Sequence, residues 1–417
     1  MPQDLKTLTP PWLRLASTAL FALALAAFVL YFVLDLNYAF ALFRVPFAYA
    51  HGEGFELMDT IIHSRGGWPY QNAEQFPFYA SNYPPLFHLL VVPLVWLFGP
   101  HYWTGRVLGF TLTLVGAGAI GWAVYRDGSK NWLAATLAGL AFLSSNYVYH
   151  VGPLFRQHMS MVTFETLAIV TLAALPDSER GLSRRLWVAM LFLVMAGFTK
   201  QLALWTMVAF FSWLGLRGVK RTIAAGAIFS MVAGSLFLAL NAATDGYWWL
   251  HVISANVNRY VMEQFVGLLG QFTRLHVVLL AFAVGMSVFE LYATRLSAYS
   301  VWFVFSLVNG IMAGKWGAGE SYYATTVAAA CILTGVAISR LLRRAASRPS
   351  IWTRGWAILI PALLLIQARL VLHMPTDTPT LAAIARALGA HPTGAYYDSV
   401  GYTQLGHTPT QEDIEAG

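Results

Sequence analysis

An acidic stretch covers residues 51 to 88 and reads HGEGFELMDTIIHSRGGWPYQNAEQFPFYASNYPPLFH. It places Glu53, Glu56, Asp59 and Glu74 among Gly, Pro and aromatic residues, shortly after a first long apolar run. Most of the remaining sequence consists of apolar segments. The stretch therefore predicts a polar loop outside the apolar segments, and its acidic residues are the first candidates for catalysis.

The composition predicts a polytopic membrane protein. The 417 residues are 58% hydrophobic and 11% charged, with a mean hydropathy of +0.58, whereas soluble domains carry about 25% charged residues. The net charge of +7 lies in short loops between apolar runs, which fits membrane topology better than nucleic-acid binding. The single Cys331 lies in an apolar segment, so no disulfide within the chain is expected.

Eleven apolar segments are long enough to predict membrane-spanning helices. The expected fold class is an all-α polytopic bundle of about eleven transmembrane helices within residues 1–372, followed by a short tail over 373–417. That tail resembles the start of a small cap domain. The predicted spans are 12–34, 102–125, 131–149, 159–175, 186–199, 202–217, 221–242, 275–293, 297–313, 321–341 and 354–372.

The distribution of Lys and Arg predicts the orientation. If the N-terminus is cytoplasmic, most basic residues fall in short cytoplasmic loops, as the positive-inside rule requires. The loop over 35–101 and the C-terminus then lie on the extracytoplasmic face. This orientation requires that Pro84–Gly99 be a re-entrant or interfacial helix, because a full span there would invert every later loop.

The acids of the first loop suit proton abstraction from an acceptor. Glu53 lies between Gly52 and Gly54, which free the backbone for an unusual turn. If Glu53 begins a helix, Glu56 shares its face and Asp59 lies nearly in line. The alternative is that these acids only stabilise the positive N-terminal end of an interfacial helix.

Three histidines of the same stretch, His51, His63 and His88, raise the possibility of a divalent metal site with the carboxylates. Their spacing matches no established metal signature. No metal ligand is therefore assigned, and no cofactor is certain.

Isolated basic residues from distant loops complement these acids. Arg156, next to Gln157 and His158, lies between two predicted spans; Lys200 and Gln201 interrupt an apolar run; Lys315 lies in GKWGAGES. Ionisable residues at such positions are often functional, and Arg and Lys can hold a phosphate leaving group. Snorkelling of the side chains to the membrane interface is the alternative explanation.

A series of short motifs resembles the GT-C superfamily of integral-membrane glycosyltransferases, and in particular bacterial members related to protein O-mannosyltransferases and aminoarabinose lipid A transferases. The series covers about residues 30–330, and the order of the motifs is more specific than any one of them. The motifs are Gly52-Glu53-Gly54, Gly66-Gly67-Trp68-Pro69-Tyr70, Tyr83-Pro84-Pro85-Leu86, Thr104-Gly105-Arg106, Gly152-Pro153-Leu154-Phe155-Arg156, Phe198-Thr199-Lys200-Gln201 and Gly317-Ala318-Gly319-Glu320-Ser321-Tyr322-Tyr323.

The resemblance implies a bacterial plasma-membrane enzyme that transfers a sugar, with inversion, from a polyprenyl-phosphate donor. The acceptor would be a glycan, a lipid or a protein on the extracytoplasmic face. Glu53 would be the base, with Asp59 as a second catalytic acid. Substrate contacts are expected from Glu56, Tyr83, Arg106, Arg156, His158, Lys200, Gln201, Lys315 and Glu320.

Two positions depart from the family pattern. Many relatives have two adjacent acids, whereas Gly52 precedes Glu53 here, so a second acid would have to be Glu56 or Asp59. His158 lies where a similar pattern tends to carry Asp.

Two other classes of protein remain as alternatives. A lipid or solute transporter would place charged pairs near the bilayer midplane on broken, repeated helices. A non-catalytic membrane subunit would tolerate joint substitution of Glu53, Arg156 and Lys200.

Overall fold

The computed structural model describes residues 10–50, 52–76, 78–176, 178, 181–347 and 351–371. Within these ranges the fold is helical, and the β-structure consists of one isolated bridge between Tyr260 and Lys315. The predicted tail over 373–417 lies outside the described residues.

Fifteen α-helices follow one another along the described chain. They are α1 (Pro11–Phe43), α2 (Glu53–Ser64), α3 (Leu86–Phe98), α4 (Tyr102–Asp127), α5 (Trp132–Leu143), α6 (Asn146–Tyr149), α7 (His158–Ala173), α8 (Arg184–Thr199), α9 (Leu204–Arg217), α10 (Val219–Ala243), α11 (Tyr247–Val252), α12 (Met262–Ala293), α13 (Ala298–Ile311), α14 (Ala324–Ser347) and α15 (Ile351–Leu370).

Helix is present at every predicted span. Five helical segments are long and apolar enough to cross a membrane, namely Pro11–Phe43, Tyr102–Asp127, Val219–Ala243, Met262–Ala293 and Glu320–Ala345. The chain is therefore a multi-pass membrane protein by length and composition. The other predicted spans correspond to shorter helices, so the number eleven stays a prediction.

The first helix is longer than the sequence predicts. We expected it to end near Leu34, with a loop from residue 35, but α1 continues to Phe43. Asp35 does not end it, because its side chain is buried. Tyr38 and Leu42 in the extra turns pack against Leu154 and so hold this end of α1 beneath the first loop.

Two other boundaries were also wrong. Helix α12 begins at Met262, within the expected loop, because Gln264 donates hydrogen bonds to three backbone carbonyls, those of Ala313, Lys315 and Ala318. The helix is kinked at His276. The predicted span 131–149 is two helices, α5 and α6, separated by a break at Ser144 and Ser145.

The short apolar segment after the first loop is one helix, as predicted. Helix α3 has 13 residues, which extend about 20 Å, less than the bilayer's hydrocarbon thickness of about 30 Å. Trp96, Leu97 and Phe98 at its end are exposed. Its length suits an interfacial position better than a span.

The starts of several helices meet at one end of the bundle. His158 begins α7, Lys200 precedes α9, and Tyr322 precedes α14. The three side chains are in contact, with Lys200 lying between His158 and the ring of Tyr322. Helix starts carry a partial positive charge, so this end is suited to an anionic ligand.

Candidate functional site

Helix α2 begins at Glu53, as the glycines around it predict. Gly52 adopts a left-handed conformation (φ 97°) at the N-cap, which a residue with a side chain rarely adopts. Glu53, Glu56 and Asp59 are all buried on the inner side of α2. Their different partners decide what each carboxylate can do.

Glu53 forms a closed ion pair with Arg106 of α4. Arg106 Nε lies 3.0 Å from Glu53 Oε1, and Nη2 lies 2.8 Å from Oε2. The backbone N–H groups of Phe155 and Tyr49 also donate to the two carboxylate oxygens. Burial alone would raise the pKa of Glu53, but the charge and hydrogen bonds of Arg106 and these backbone donors hold that pKa below its usual range.

Arg106 has no donor left for a substrate. Besides Glu53, its guanidinium donates to the carbonyls of Leu42, Val45 and Phe47, and its side chain is fully buried. The pair thus ties the end of α1 to α2 and α4. Sequence reasoning predicted a base at Glu53 and a substrate contact at Arg106; their contacts are those of a structural clamp.

Arg156 fills the space left by the missing side chain of Gly52. Its guanidinium occupies the position where a Cβ on Gly52 would lie. From there Nη1 reaches Glu56 Oε1 at 3.4 Å, and about a third of the Arg156 side chain, 32%, remains exposed. A side chain at position 52 would require this guanidinium to move, and Glu56, one helical turn later, faces the guanidinium.

Glu56 is the acid of α2 that faces Arg156. His88 Nε2 lies 2.8 Å from Glu56 Oε2. The amide of Gln157, oriented with its nitrogen toward Glu56, donates to Oε1 at 2.8 Å. These partners are all side chains, whereas Glu53 is also held by backbone donors.

Asp59 lies deeper, behind Glu56. Tyr79 Oη and Ser81 Oγ donate to its two oxygens at 2.7 and 2.6 Å, and His88 Nε2 lies 3.7 Å from Oδ2. Burial raises the pKa of Asp59 to about 6. Burial alone would lower the pKa of His88, but its hydrogen bond to Glu56 and the charge of Asp59 raise that pKa above its usual value.

Glu56, Asp59 and His88 form a possible metal site. One ligand atom from each lies within 4.8 Å of the others, and imidazole nitrogen with carboxylate oxygen is a donor set that suits zinc and similar divalent ions. Every carboxylate oxygen of the group nevertheless already accepts a hydrogen bond from the protein. The group fits a cation by donor type, and its carboxylate oxygens are satisfied without one, whereas His88 Nδ1 is buried without a hydrogen-bond partner among the described residues. Of the other two histidines, His63 is not one of these ligands and His51 lies outside the described residues.

Lys200 is a buried cation whose partners are neutral. Its side chain has 4% relative exposure, its Nζ lies 2.9 Å from His158 Nδ1, and it also lies 4.6 Å from the ring centroid of Tyr83. Among the described residues no carboxylate lies within 4 Å of it. Burial, together with the charge of Arg156, lowers the pKa of Lys200 to about 7, and burial beside Lys200 lowers the pKa of His158, which keeps that ring neutral.

A cavity of about 300 Å³ opens beside Lys200. Lys315 and Gln201 line it together with Tyr83 and Tyr322. Two cations therefore border one cavity, and Arg156 lies close enough to Lys200 to affect its charge.

The structure separates the predicted site residues into groups. Tyr83, Lys200, Gln201 and Lys315 line the cavity, and His158 contacts Lys200. Glu56 contacts Arg156, whose charge acts on Lys200. Glu53 and Arg106 form the clamp, and Asp59 lies 3.7 Å from His88. Glu320 begins the turn that leads to Tyr322 but does not line the cavity.

Sequence reasoning assigned no role to Trp205, Trp316 or Tyr322, which line the cavity with Lys200. Trp205 and Trp316 lie close in sequence to the basic residues Lys200 and Lys315. An aromatic residue near an isolated membrane-embedded lysine is the signal that would have found them, because such rings stabilise a buried cation.

Comparisons with known proteins identify the fold. No family model matches the chain, and no curated protein matches it in sequence. ArnT from Cupriavidus metallidurans, solved with undecaprenyl phosphate, superposes with a TM-score of 0.56 at 15% identity, over 91% of this chain and 77% of ArnT. The oligosaccharyltransferase AglB from Archaeoglobus fulgidus, solved with an inhibitory peptide and a dolichol-phosphate, gives a TM-score of 0.53 at 11% identity, over 94% of this chain and 59% of AglB.

Both of these structures are GT-C proteins. The chain therefore has the GT-C fold that its motifs predict. At these sequence identities the similarity shows the fold alone, and it leaves the reaction and the roles of individual residues to be argued from the site.

Proposed function

We propose that this GT-C chain is a membrane glycosyltransferase that transfers a sugar from a polyprenyl-phosphate donor to an acceptor, with inversion at the anomeric carbon. The observation that carries the proposal is Lys200, a buried cation that borders a cavity and has no carboxylate within 4 Å among the described residues. A buried charge without a counter-ion is costly, and a bound phosphate would supply that counter-ion.

The cations suit the leaving group. As the bond between the anomeric carbon and the phosphate oxygen breaks, negative charge develops on the polyprenyl phosphate. Lys200 and Lys315 line the cavity, and the partly exposed Arg156 lies close enough to Lys200 to lower its pKa. We assign these three residues to the phosphate, because pre-positioned cations in a site of low dielectric stabilise developing charge most strongly.

The role of base falls to Glu56 in this proposal. Its oxygens contact the side chains of Arg156, Gln157 and His88, so it is next to the phosphate-binding group. As the acceptor attacks the anomeric carbon, its proton would pass to Glu56. His88, which is hydrogen-bonded to Glu56 and lies 3.7 Å from Asp59, would hold Glu56 in place, while the Glu53–Arg106 clamp fixes the start of α2.

A divalent cation, if bound, would be held by Glu56, Asp59 and His88. It would supply positive charge beside the acceptor and would compensate the charge of Glu56 in place of the hydrogen bond from His88. The chain's own residues perform every step described above, and the metal requirement is open to direct measurement.

The experiment is transfer by the purified full chain in proteoliposomes. Polyprenyl-phosphate donors carrying a pentose or a hexose are supplied with an envelope extract as the source of glycan, lipid and protein acceptors. Mass spectrometry measures free polyprenyl phosphate and glycosylated product. We expect donor consumption with at least one sugar, and its loss in Glu56→Gln and Lys200→Gln.

Two results would overturn the proposal. One is that no donor is consumed although the protein is folded and reconstituted. The other is donor movement across the bilayer without any covalent product, which would identify a transporter. Equal activity of wild type and both variants would instead contradict the roles assigned to Glu56 and Lys200.

A further inference from the structure

A second cavity lies at the end of the bundle opposite the candidate site. Helix α14 begins at Ala324, two residues after Tyr322, which lines the site cavity. Arg340 and Arg344 follow 16 and 20 residues later, which corresponds to about 24 to 30 Å along the helix axis. Both arginines line the second cavity, whose volume is about 690 Å³.

The walls of this cavity are apolar side chains of α12, α14 and α15. Val277 and Phe282 come from the second half of α12, and Leu359 comes from α15. Val277 and Leu359 are 50% and 45% exposed, so the cavity opens toward the surroundings of the bundle. In a membrane those surroundings are lipid, and a cavity of this size is in the range of small-molecule sites, about 300–1,000 Å³.

The polar end of the cavity is positively charged. Arg344 is exposed and Arg340 is partly exposed. The nearest acid is Glu290, whose Oε1 lies 4.0 Å from Arg340 Nη2, while its Oε2 accepts hydrogen bonds from Ser297 and Ser300. Glu290 therefore neutralises Arg340 only weakly, and Arg344 has no acidic partner among the described residues.

We infer that this cavity binds an anionic phospholipid of the leaflet opposite the candidate site. Its phosphate would lie between Arg340 and Arg344, and an acyl chain would follow the apolar walls past Phe282. Basic pockets between transmembrane helices bind anionic head groups in this way, and Trp356 at the rim suits the membrane interface. A zwitterionic lipid would fill the apolar part but would not compensate the two positive charges.

The inference is independent of the proposed glycosyltransferase activity, because the site is at the other end of the bundle and lipid binding is measured directly. The full chain is purified in detergent and titrated with phosphatidylglycerol or phosphatidylcholine, and bound lipids are counted by native mass spectrometry. We expect one phosphatidylglycerol to remain bound under conditions that remove phosphatidylcholine.

Two variants test the two halves of the site separately. Arg340→Gln with Arg344→Gln should weaken phosphatidylglycerol binding on the order of tenfold or more. Gly285→Phe should also displace the lipid without a change of charge, because Gly285 lines the cavity and a Cβ there meets no atom within 4 Å.

Each variant has a matched control in the same full-length protein. Arg343→Gln removes a charge from the same helix at an exposed position that does not line the cavity. Gly234→Phe adds the same ring on α10, also in open space. Both controls should bind like wild type. Equal binding of the two lipids to wild type, or an equal loss in the controls, would overturn the inference. A thermal melt in detergent would show whether each variant is folded.

Discussion

Two glutamates one turn apart on α2 have opposite surroundings. Glu53 is enclosed by Arg106 and backbone donors. Glu56 instead contacts Arg156, Gln157 and His88, side chains that belong to or border the candidate site. Both carboxylates are buried, so burial alone does not separate them. What separates the two glutamates is the kind of partner, since Glu53 is held by backbone donors as well and Glu56 by side chains alone. A base needs a lone pair that becomes available to the substrate's proton.

The largest effect is expected from breaking the clamp. Arg106→Ala leaves Glu53 buried without its counter-ion and frees three backbone carbonyls, so we expect a loss of about 3–5 kcal/mol in the free energy of unfolding. The measurement is thermal or denaturant unfolding of the detergent-purified protein. Arg65→Ala, at an exposed position after α2, is the control and should unfold like wild type. Equal stability of the two variants would show that the clamp is not structural.

The next effect separates the two glutamates by activity. Glu56→Gln keeps the shape but removes the base, so the turnover number should fall by about 10²–10⁴ while the melting temperature changes little. Glu53→Gln places an amide NH₂ group next to the N–H donors of Arg106 and the backbone. It should mainly lower the free energy of unfolding, by about 1–3 kcal/mol. The opposite pattern, a stable but inactive Glu53→Gln beside an active Glu56→Gln, would return the role of base to Glu53.

A smaller effect concerns the pH dependence of donor binding at Lys200. Its pKa of about 7 in the folded chain lies below its ordinary value, so the charged fraction falls as pH rises through 7. Only the charged form attracts phosphate, and KM for the donor should therefore rise by up to about tenfold per pH unit above 7. Lys200→Arg keeps its charge at every accessible pH, and its KM should lack this rise. A pH-independent KM in wild type would contradict the assignment.

The smallest effect is expected from metal removal. The carboxylates of Glu56 and Asp59 already accept hydrogen bonds from Arg156, His88, Tyr79 and Ser81, so we expect transfer to continue after dialysis against a chelator. The metal content of the dialysed protein is measured alongside the transfer rate. Loss of activity that returns on addition of Zn²⁺ or Mn²⁺ would instead identify this cluster as a required metal site.

Much of the fold follows from the sequence. Apolar runs predict helices because a membrane segment must satisfy its backbone hydrogen bonds internally, and helix is present at each predicted span. The start of α2 at Glu53 follows from Gly52, and its end follows from Gly66 and Gly67. The set of basic residues around the cavity was also predicted, because isolated charges in apolar sequence are too costly to be retained without a use.

Only the tertiary structure shows which partners each acid has. The partners of Glu53 are 53 and 102 residues away, at Arg106 and Phe155, and no local pattern reveals such contacts. The space beside Gly52 is likewise filled by a distant residue, Arg156, whose guanidinium contacts Glu56. The sequence identified the isolated charged residues that lie at this end of the bundle, because an ionisable side chain in an apolar segment is recognisable from residue type alone. Which of these charges has a counter-ion depends on packing between residues that are far apart in the sequence, and only the structure shows that packing.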